Sequence, residues 1–530
     1  MLKTTMSRFF EGLRLLQIQA ILKRVVRQTI PVRTLYNLSI KTIARTEEIH
    51  NRSKGEIQQV IAEQGGYILH LDSTFEDEPP LLFVGKDGLS HMTLGAEFVM
   101  SESEANIKPI LEAFRDRYGK PLAVVRDGSE GISKAIDSIF PDVPQVACQF
   151  HVLRNVGNVL FKDLYAEVAS AIERLRIVPA ITRLCKYLEP NVEAIPDKKQ
   201  LCAQILYDKT LPTMKHEELL PLVTYTVGSW ILRTKSKSET IPYPFDLPYL
   251  EMYNACETAF PRVHAYIRSL SEVCRMYKPL NDLETILKRV VKDEELSRKI
   301  GLLKRLSEVF FRIRAILRIN RDTNILKHDP KWSQDEVSTA RASLVSYLDR
   351  LMTEVSTLPE DSIRRRRCEK IVGMLRKEFD QLFVPNPFIE INGKRIECKL
   401  PRTNNLIERN FWEIIRLLTK LKGQKRVRKA LHLYGKAVAI LLNITNETYL
   451  KAVYPDGILN RLAQERDLPD NVSSSNQYQR PVKIPGRIPF EHVQYFIERS
   501  LPVVQRALNL PSNPPPPLSV GRPANGLLPP

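Results

Sequence analysis

The period of the hydrophobic pattern changes along this chain, and those changes decide what it can fold into. Up to residue 64 the apolar residues recur at helical spacing. Phe9 to Val26 is amphipathic, and Val32 to Val60 continues the pattern with Ser39 and Ser53 as cap candidates. After Gly65-Gly66 the period drops to two. Tyr67-Ile-Leu-His-Leu-Asp72 alternates as a strand, Leu81 to Gly85 and Met92 to Val99 follow, and Lys86-Asp87-Gly88 turns the chain between those two. A helix over Glu102 to Tyr118, a short strand over Leu122 to Arg126, a helix over Gly131 to Phe140 and a strand over Gln145 to Phe150 complete the block, and His151 opens another helix. Three strands joined by hairpins, then helix, strand, helix, strand, predict a mixed sheet with crossover helices in its second half.

From about Val152 to Phe383 the strand signal is absent. Helical patterns run over Leu283 to Ile319, Gln334 to Leu358 and Asp361 to Leu382, and Thr234 to Leu250, with Pro242, Pro244 and Pro248, breaks them into groups. A hairpin turning on Asn392-Gly393 returns over Ile389 to Cys398, and Thr403 precedes a helix over Leu406 to Leu421. From Ser473 onward the chain is rich in Pro, Asn and Ser and includes Pro514 to Pro517. That composition predicts a disordered tail, with Pro489 to Leu508 as a single docked helix.

A chain of 530 residues exceeds one ordinary core, and 43% hydrophobic content rules out a mostly disordered one. The best apolar run, Val438 to Leu442, is far too short for a membrane span, and no cleavable signal is read at the N-terminus. Seven thinly spread cysteines read as reduced thiols rather than a disulfide framework. The expected location is the cytoplasm, or the nucleus in a eukaryotic source.

Basic residues exceed acidic ones by 79 − 61 = 18, and the excess is uneven. From Asp361 to Ala430 there are 19 basic and 8 acidic residues. That segment includes Arg364, Arg365, Arg366 and Arg367, then Lys420, Lys422, Lys425, Arg426, Arg428 and Lys429. Solvated helix faces often look like this. A polyanion is the natural functional partner, because each neutralised phosphate releases counterions.

Asp72 ends an apolar strand, on the face it shares with Ile68 and His70. Asp127 ends the strand Leu122-Ala-Val-Val-Arg126 and is followed by Gly128, which permits a tight exit. Singly, each reads as a turn residue, since Asp is common at strand ends. If the two strands are neighbours, carboxylates about 4 Å apart repel by about 4 kcal/mol at an effective dielectric of about 20. Such a pair needs a shared proton or cations, and hard oxygen ligands suit Mg²⁺ or Mn²⁺. Glu408 lies in the first turn of its helix, beside a stripe of Ile407, Phe411, Ile414, Leu418 and Leu421. Spacing alone makes it a first-turn acid favoured by the helix dipole.

The ordered set Asp72-Ser73-Thr74, Arg126-Asp127-Gly128, Phe140-Pro141, Cys148-Gln-Phe-His151 with Arg154-Asn155, and Thr403-Asn404-Asn405 with Glu408-Arg409 resembles the DDE transposases of the Mutator-like group. The resemblance covers roughly Tyr67 to Asn155 and Pro401 to Arg428. It implies a ribonuclease-H-like mixed α/β sheet core interrupted by a large all-α insertion, with a short helical N-terminal segment and a disordered Pro-rich tail. The implied divisions are 1–64, a shortened DNA-binding region; 65–160, the first part of the core; 161–398, the insertion; 399–447, the second part; and 448–530, the extension. Carried over, Asp72, Asp127 and Glu408 become catalytic acids holding two Mg²⁺ or Mn²⁺ ions. The implied activity is hydrolysis at element ends and joining of the 3′-hydroxyl to target DNA. The implied partners are double-stranded DNA, at element ends and target, and a second copy of the chain, with no membrane.

Cys148 and His151 supply half a zinc motif, with His216, Cys256 and His264 isolated, and the resemblance implies a structural place beside the site for Cys148, His151 and Asn405. Trp230 reads as core packing or as a stack for an unpaired base. Transposases of this group usually carry a distinct N-terminal DNA-binding domain. Here 71 residues precede Asp72 without a cysteine, which predicts a shortened copy or a reduced helical reader over Val32 to Val60. Two alternatives stay open: a related nuclease without strand transfer, and a non-catalytic DNA-binding remnant.

Overall fold

A computed structural model describes residues 8–9, 11–25, 27, 29–74, 79–208, 210–236, 243–319, 331–422 and 427–464. The predicted helix over Pro489 to Leu508 and the Pro-rich tail lie outside the described residues. The chain forms two compact units, Met1–Pro121 with Ile407–Pro530, and Leu122–Leu406. It is a mixed α/β protein in which helix dominates, with one five-stranded and one two-stranded sheet.

In the first unit, α1 (Leu15–Val25), α2 (Val32–Arg52) and α3 (Lys54–Glu63) precede β1 (Ile68–Thr74), β2 (Leu81–Asp87), β3 (Thr93–Val99) and α4 (Glu104–Tyr118). β1 with β2 and β2 with β3 are antiparallel, as hairpin connections require. β2 runs two residues further than its alternation suggests. Asp87 then builds the turn itself, accepting hydrogen bonds from the backbone N–H groups of Leu89 (3.0 Å) and Ser90 (2.9 Å).

The pattern over Val32 to Val60 forms two helices, and Ser53 stands at the N-cap position of the second, but neither serine makes a side-chain cap bond. Ser39 and Ser53 donate their hydroxyls back to Leu35 and Ile49 carbonyls, both at 2.8 Å, a bond that competes with capping. At Ser53 the backbone N–H also turns to Ile49, and the helix breaks there.

His50, buried on α2, holds this unit together. Its Nε2 lies 3.0 Å from the Leu94 carbonyl on β3, and its Nδ1 lies 3.1 Å from the Tyr449 hydroxyl. Burial pushes its pKa down from 6.5 to about 4, so the folded chain holds it neutral. Unfolding lets it protonate below the ordinary value. Its contribution is therefore whole above pH 6.5 and fades as pH falls towards 4. Between neutral pH and pH 5 the loss should be about 2 kcal/mol. Denaturant midpoints should fall less over that range in His50→Gln than in the wild type; equal falls would remove His50 from the account.

The second unit opens with β4 (Ala123–Arg126), α5 (Glu130–Ile139) and β5 (Gln145–Ala147). β4 and β5 pair in parallel, joined by the α5 crossover, so the sheet is mixed. β5 ends earlier than predicted, because Cys148 is already the N-cap of α6 (Gln149–Arg174). Helices follow: α7 (Ile177–Glu193), α8 (Lys198–Ala203), α9 (His216–Ser236), α10 (Pro248–Ser269), α11 (Glu272–Arg275), α12 (Lys278–Val291), α13 (Glu294–Ile316), α14 (Gln334–Ser356), α15 (Ile363–Lys377) and α16 (Phe379–Leu382). They share one core that includes Leu153, Phe161, Leu283, Phe310, Leu344 and Ile371. The predicted helix over Leu283 to Ile319 is split, because the Asp293 carboxylate accepts the Leu296 N–H at 2.9 Å and caps a new helix.

The hairpin β6 (Phe388–Ile391) and β7 (Lys394–Glu397) turns on Asn392 and Gly393, both at positive φ (52° and 71°), as a two-residue Asn-Gly loop requires. The chain returns to the first unit within α17 (Asn405–Lys422). It continues through α18 (Arg428–Tyr434), α19 (Ala437–Leu441), α20 (Glu447–Val453) and α21 (Ile458–Gln464). Among the described residues no helix is long and apolar enough to cross a membrane.

Candidate active site

Asp72 is placed by β1. It pairs with Val84, and His70 pairs with Lys86, so all four side chains share one face of the sheet. The opposite face carries Gly85 and Gly95, which stand opposite each other on β2 and β3. A Cβ at Gly85 would meet the Phe114 ring at 2.4 Å, and one at Gly95 would meet it at 2.7 Å. The two glycines therefore form a slot that seats α4 by its Phe114 and closes the face behind Asp72.

On the Asp72 face, Lys86 is buried, and burial pushes its pKa down from 10.5 to about 8. The charges of Glu413 and Arg409 on α17 act on that ammonium. Both charges therefore lie close enough to Lys86 to be felt by it. The predicted stripe of α17, Ile407, Phe411, Ile414, Leu418 and Leu421, is buried throughout. Glu408 is half-buried in its first turn.

Around Asp72 the backbone N–H of Ser73 donates to Oδ1 at 2.9 Å, and the Ser73 hydroxyl donates to Glu102. Asp127 is half-buried after β4. Its Oδ1 accepts the Ser129 N–H at 2.9 Å, and this side-chain turn shapes the exit from the strand. Gly128 is not what permits that exit. A Cβ there would meet only Asn155, at an ordinary 3.6 Å. Burial raises the Asp127 pKa, against the Ser129 N–H and the Arg126 charge, which lower it. Arg126 is itself fixed, donating to Gln145 at 2.7 Å and to the Asp127 carbonyl at 2.6 Å.

One ligand oxygen from each of Asp72, Glu102 and Asp127 lies within 4.8 Å of the others. Among the described residues this is the one group of three or more acidic, Cys or His side chains able to hold a metal ion. Asp72 and Asp127 are thus brought together; Glu408 is outside that group. Glu102 was read as the first acid of a helix, a place the helix dipole already explains, so no sequence signal separated it from an ordinary first-turn glutamate.

The other expected site residues fall in several places. Cys148 is buried, and its sulfur accepts the Asn404 N–H at 3.1 Å. The Gln149 N–H donates to the Arg402 carbonyl at 2.9 Å, so the first turn of α6 holds the segment that leads into Asn405 and α17. The Cys148 and His151 pair belongs to no metal-binding group among the described residues. Trp230 is half-buried against the helical core.

The arginine run on α15 is largely engaged with the protein. Arg364 meets Glu354 at 2.5 Å, Arg365 meets Glu369 at 2.8 Å, and Arg367 donates to the Leu160 carbonyl at 2.7 Å, while Arg366 is exposed. Lys420 lies over Gly12, where a Cβ would meet its Cδ at 2.7 Å. Arg428 donates to the Pro79 carbonyl at 2.6 Å. Lys425 and Arg426, and the side chains of Lys422 and Lys429, lie outside the described residues.

The family model described as "Transposase, Mutator family" matches residues 2–210, a stretch that includes Asp72, Glu102 and Asp127. The match covers 209 of the 530 residues. No curated protein sequence matches the chain. The matched stretch spans the helices before the five-stranded sheet, the five strands of that sheet and the first helices of the second unit. The segments carrying Glu408 and the α15 arginines lie beyond it.

Proposed function

We propose that the chain is a DNA transposase that hydrolyses strands at element ends and joins the freed 3′-hydroxyl to target DNA. In this reading Asp72, Asp127 and Glu408 of a ribonuclease-H-like core hold two divalent cations. The observation that carries it is the convergence of Asp72, Glu102 and Asp127 within a Mutator-family stretch. Three carboxylates form a hard, anionic donor set, which fits Mg²⁺ or Mn²⁺ and lacks the thiol or imidazole ligands that zinc favours. Such ions, when bound, supply Lewis acidity towards the phosphodiester and the attacking oxygen. The protein's part is to fix the ligands. Asp72 is held by strand pairing and Asp127 by its Ser129 turn, so little ordering remains to be done on binding. Mutual repulsion of the acids keeps the site selective for cations.

A strand-transfer assay separates this reading from a nuclease. With Mg²⁺ or Mn²⁺, an element-end oligonucleotide bearing a 3′-hydroxyl should become joined to plasmid DNA, and EDTA should remove the product. Cleavage without joining would favour the nuclease, and activity indifferent to EDTA would overturn the metal assignment.

A further inference from the structure

The second unit holds a groove of about 570 Å³ between α13 and α14. Its charged walls are Arg312, Arg318 and Arg350. Thr339, Ser343 and Ser346 line it from α14, and with Arg350 they recur at spacings of four, three and four, so one helical face supplies them. All four are exposed, and the Arg350 Nε donates to the Ser346 carbonyl at 3.2 Å, which holds its guanidinium along this face.

Three acids of α14 are engaged in ion pairs. Glu336 pairs with Arg318, Asp349 with Arg376 at 2.9 Å, and Glu354 with Arg364 at 2.5 Å. Among the described residues, Arg312 and Arg350 have no acid within ion-pair distance. Arg318 lies over the Trp332 ring, its carbon 5.5 Å from the centroid, which orients its fork. The charges of both Arg312 and Arg364 act on the Tyr347 phenol, so the first arginine of the α15 run stands near this groove.

We propose that this groove binds the phosphate backbone of duplex DNA, as a contact surface additional to the catalytic acids. The proposal rests on the transposase reading for the identity of the polyanion. The chemistry itself is local: guanidinium forks match phosphate oxygens bidentately, and a surplus of uncompensated arginine attracts phosphates without reading sequence. The large positive balance of the chain, +18, favours the same ligand.

The test uses the full chain and a fluorescent DNA duplex, with affinity measured over a range of salt concentrations. Arg312→Gln with Arg350→Gln should weaken binding to unrelated sequences alike. The slope of log affinity against log salt should become shallower by about 1.8, at about 0.9 for each lost phosphate contact. Arg312→Lys with Arg350→Lys should restore most of the slope, since charge is retained. Arg341→Gln, on α14 and paired with Asp380 at 2.9 Å, serves as the control and should leave the slope unchanged. Both target arginines are exposed, so the variants should melt like the wild type, and each single Gln variant should lose about half the effect. An unchanged slope in a folded double variant would overturn the groove while leaving the transposase reading intact. Weaker binding at unchanged slope would also overturn it, as a change of shape rather than of phosphate contacts. A wild type that neither binds nor cuts DNA would instead bring down the functional reading.

Discussion

Asp72→Asn, Asp127→Asn and Glu408→Gln should each reduce DNA cleavage by at least about a thousandfold while leaving folding and DNA binding nearly unchanged. Each swap keeps the shape of the side chain and removes the charge that holds a cation. Cation-stabilised charge in phosphoryl transfer is worth several kcal/mol, and about 4 kcal/mol corresponds to a thousandfold in rate. Asp72 and Asp127 already share a neighbourhood with Glu102, so their two variants test the part of the site that geometry supports directly. The Glu408 variant tests the remainder. Glu413 and Arg409 of α17 act on Lys86, which shares the face of Asp72, and Glu408 is in the first turn of the same helix. Glu102→Gln should be run beside it. A severe loss in Glu102→Gln with near wild-type cleavage in Glu408→Gln would make Glu102 the third ligand and retire Glu408. Near wild-type cleavage in Asp72→Asn or Asp127→Asn would remove that residue from the site altogether.

The strands were legible because hydrophobic alternation is a direct consequence of the pleat: β1, β2 and β3 appear within a few residues of where their period-two runs lie. The Asn392-Gly393 turn was legible for an equally local reason, since both positions adopt positive φ. Helix breaks were harder. Leu283 to Ile319 keeps its apolar period across Lys292-Asp293, and only the bond from Asp293 to Leu296 shows that a new helix begins. Ser39 misled, and Ser53 marks a helix start without a side-chain cap bond, because a serine hydroxyl can serve a backward bond to the fourth carbonyl instead of an N-cap.

Asp72 and Asp127, members of the acidic group, stood out only through the ordered set of motifs, because each alone reads as a strand-end turn residue. Glu102 did not, because its membership depends on how the Ser101-Glu102-Ser103 segment folds back to Ser73. The phosphate-gripping role expected of the whole arginine run was likewise beyond reach of composition. Counting charges does not show that Arg364, Arg365 and Arg367 spend their donors on Glu354, Glu369 and the Leu160 carbonyl.

Phe310→Ala should cost about 3–5 kcal/mol of stability, the range for a large aromatic removed from a close-packed core. Phe310 on α13 is fully buried. Its ring lies 5.5 Å from Phe161 and 5.9 Å from Phe245, both at steep angles that suit the charge distribution of aromatic rings. Phe245 in turn stacks on Phe150 at 4.3 Å, near the start of α6. Gly157 makes this packing possible. A Cβ there would meet Pro244 at 2.4 Å and Phe310 at 3.3 Å, so α6 can approach the Pro244-Phe245 segment only without a side chain at that turn. The same α6 begins with Cys148 and Gln149, which hold Asn404 and Arg402 just ahead of Glu408. Loosening the aromatic cluster should therefore reach beyond stability. In denaturant titrations, Phe310→Ala should shift the midpoint strongly and Phe310→Leu much less, since leucine refills part of the cavity. Cleavage by Phe310→Ala, assayed where the variant remains folded, should fall further than in a surface variant of equal stability. A small midpoint shift would mean that the α6, α13 and Phe245 contacts are not the core of this unit. A large shift with unaltered cleavage would show that the insertion's core and the segment ahead of Glu408 are energetically independent.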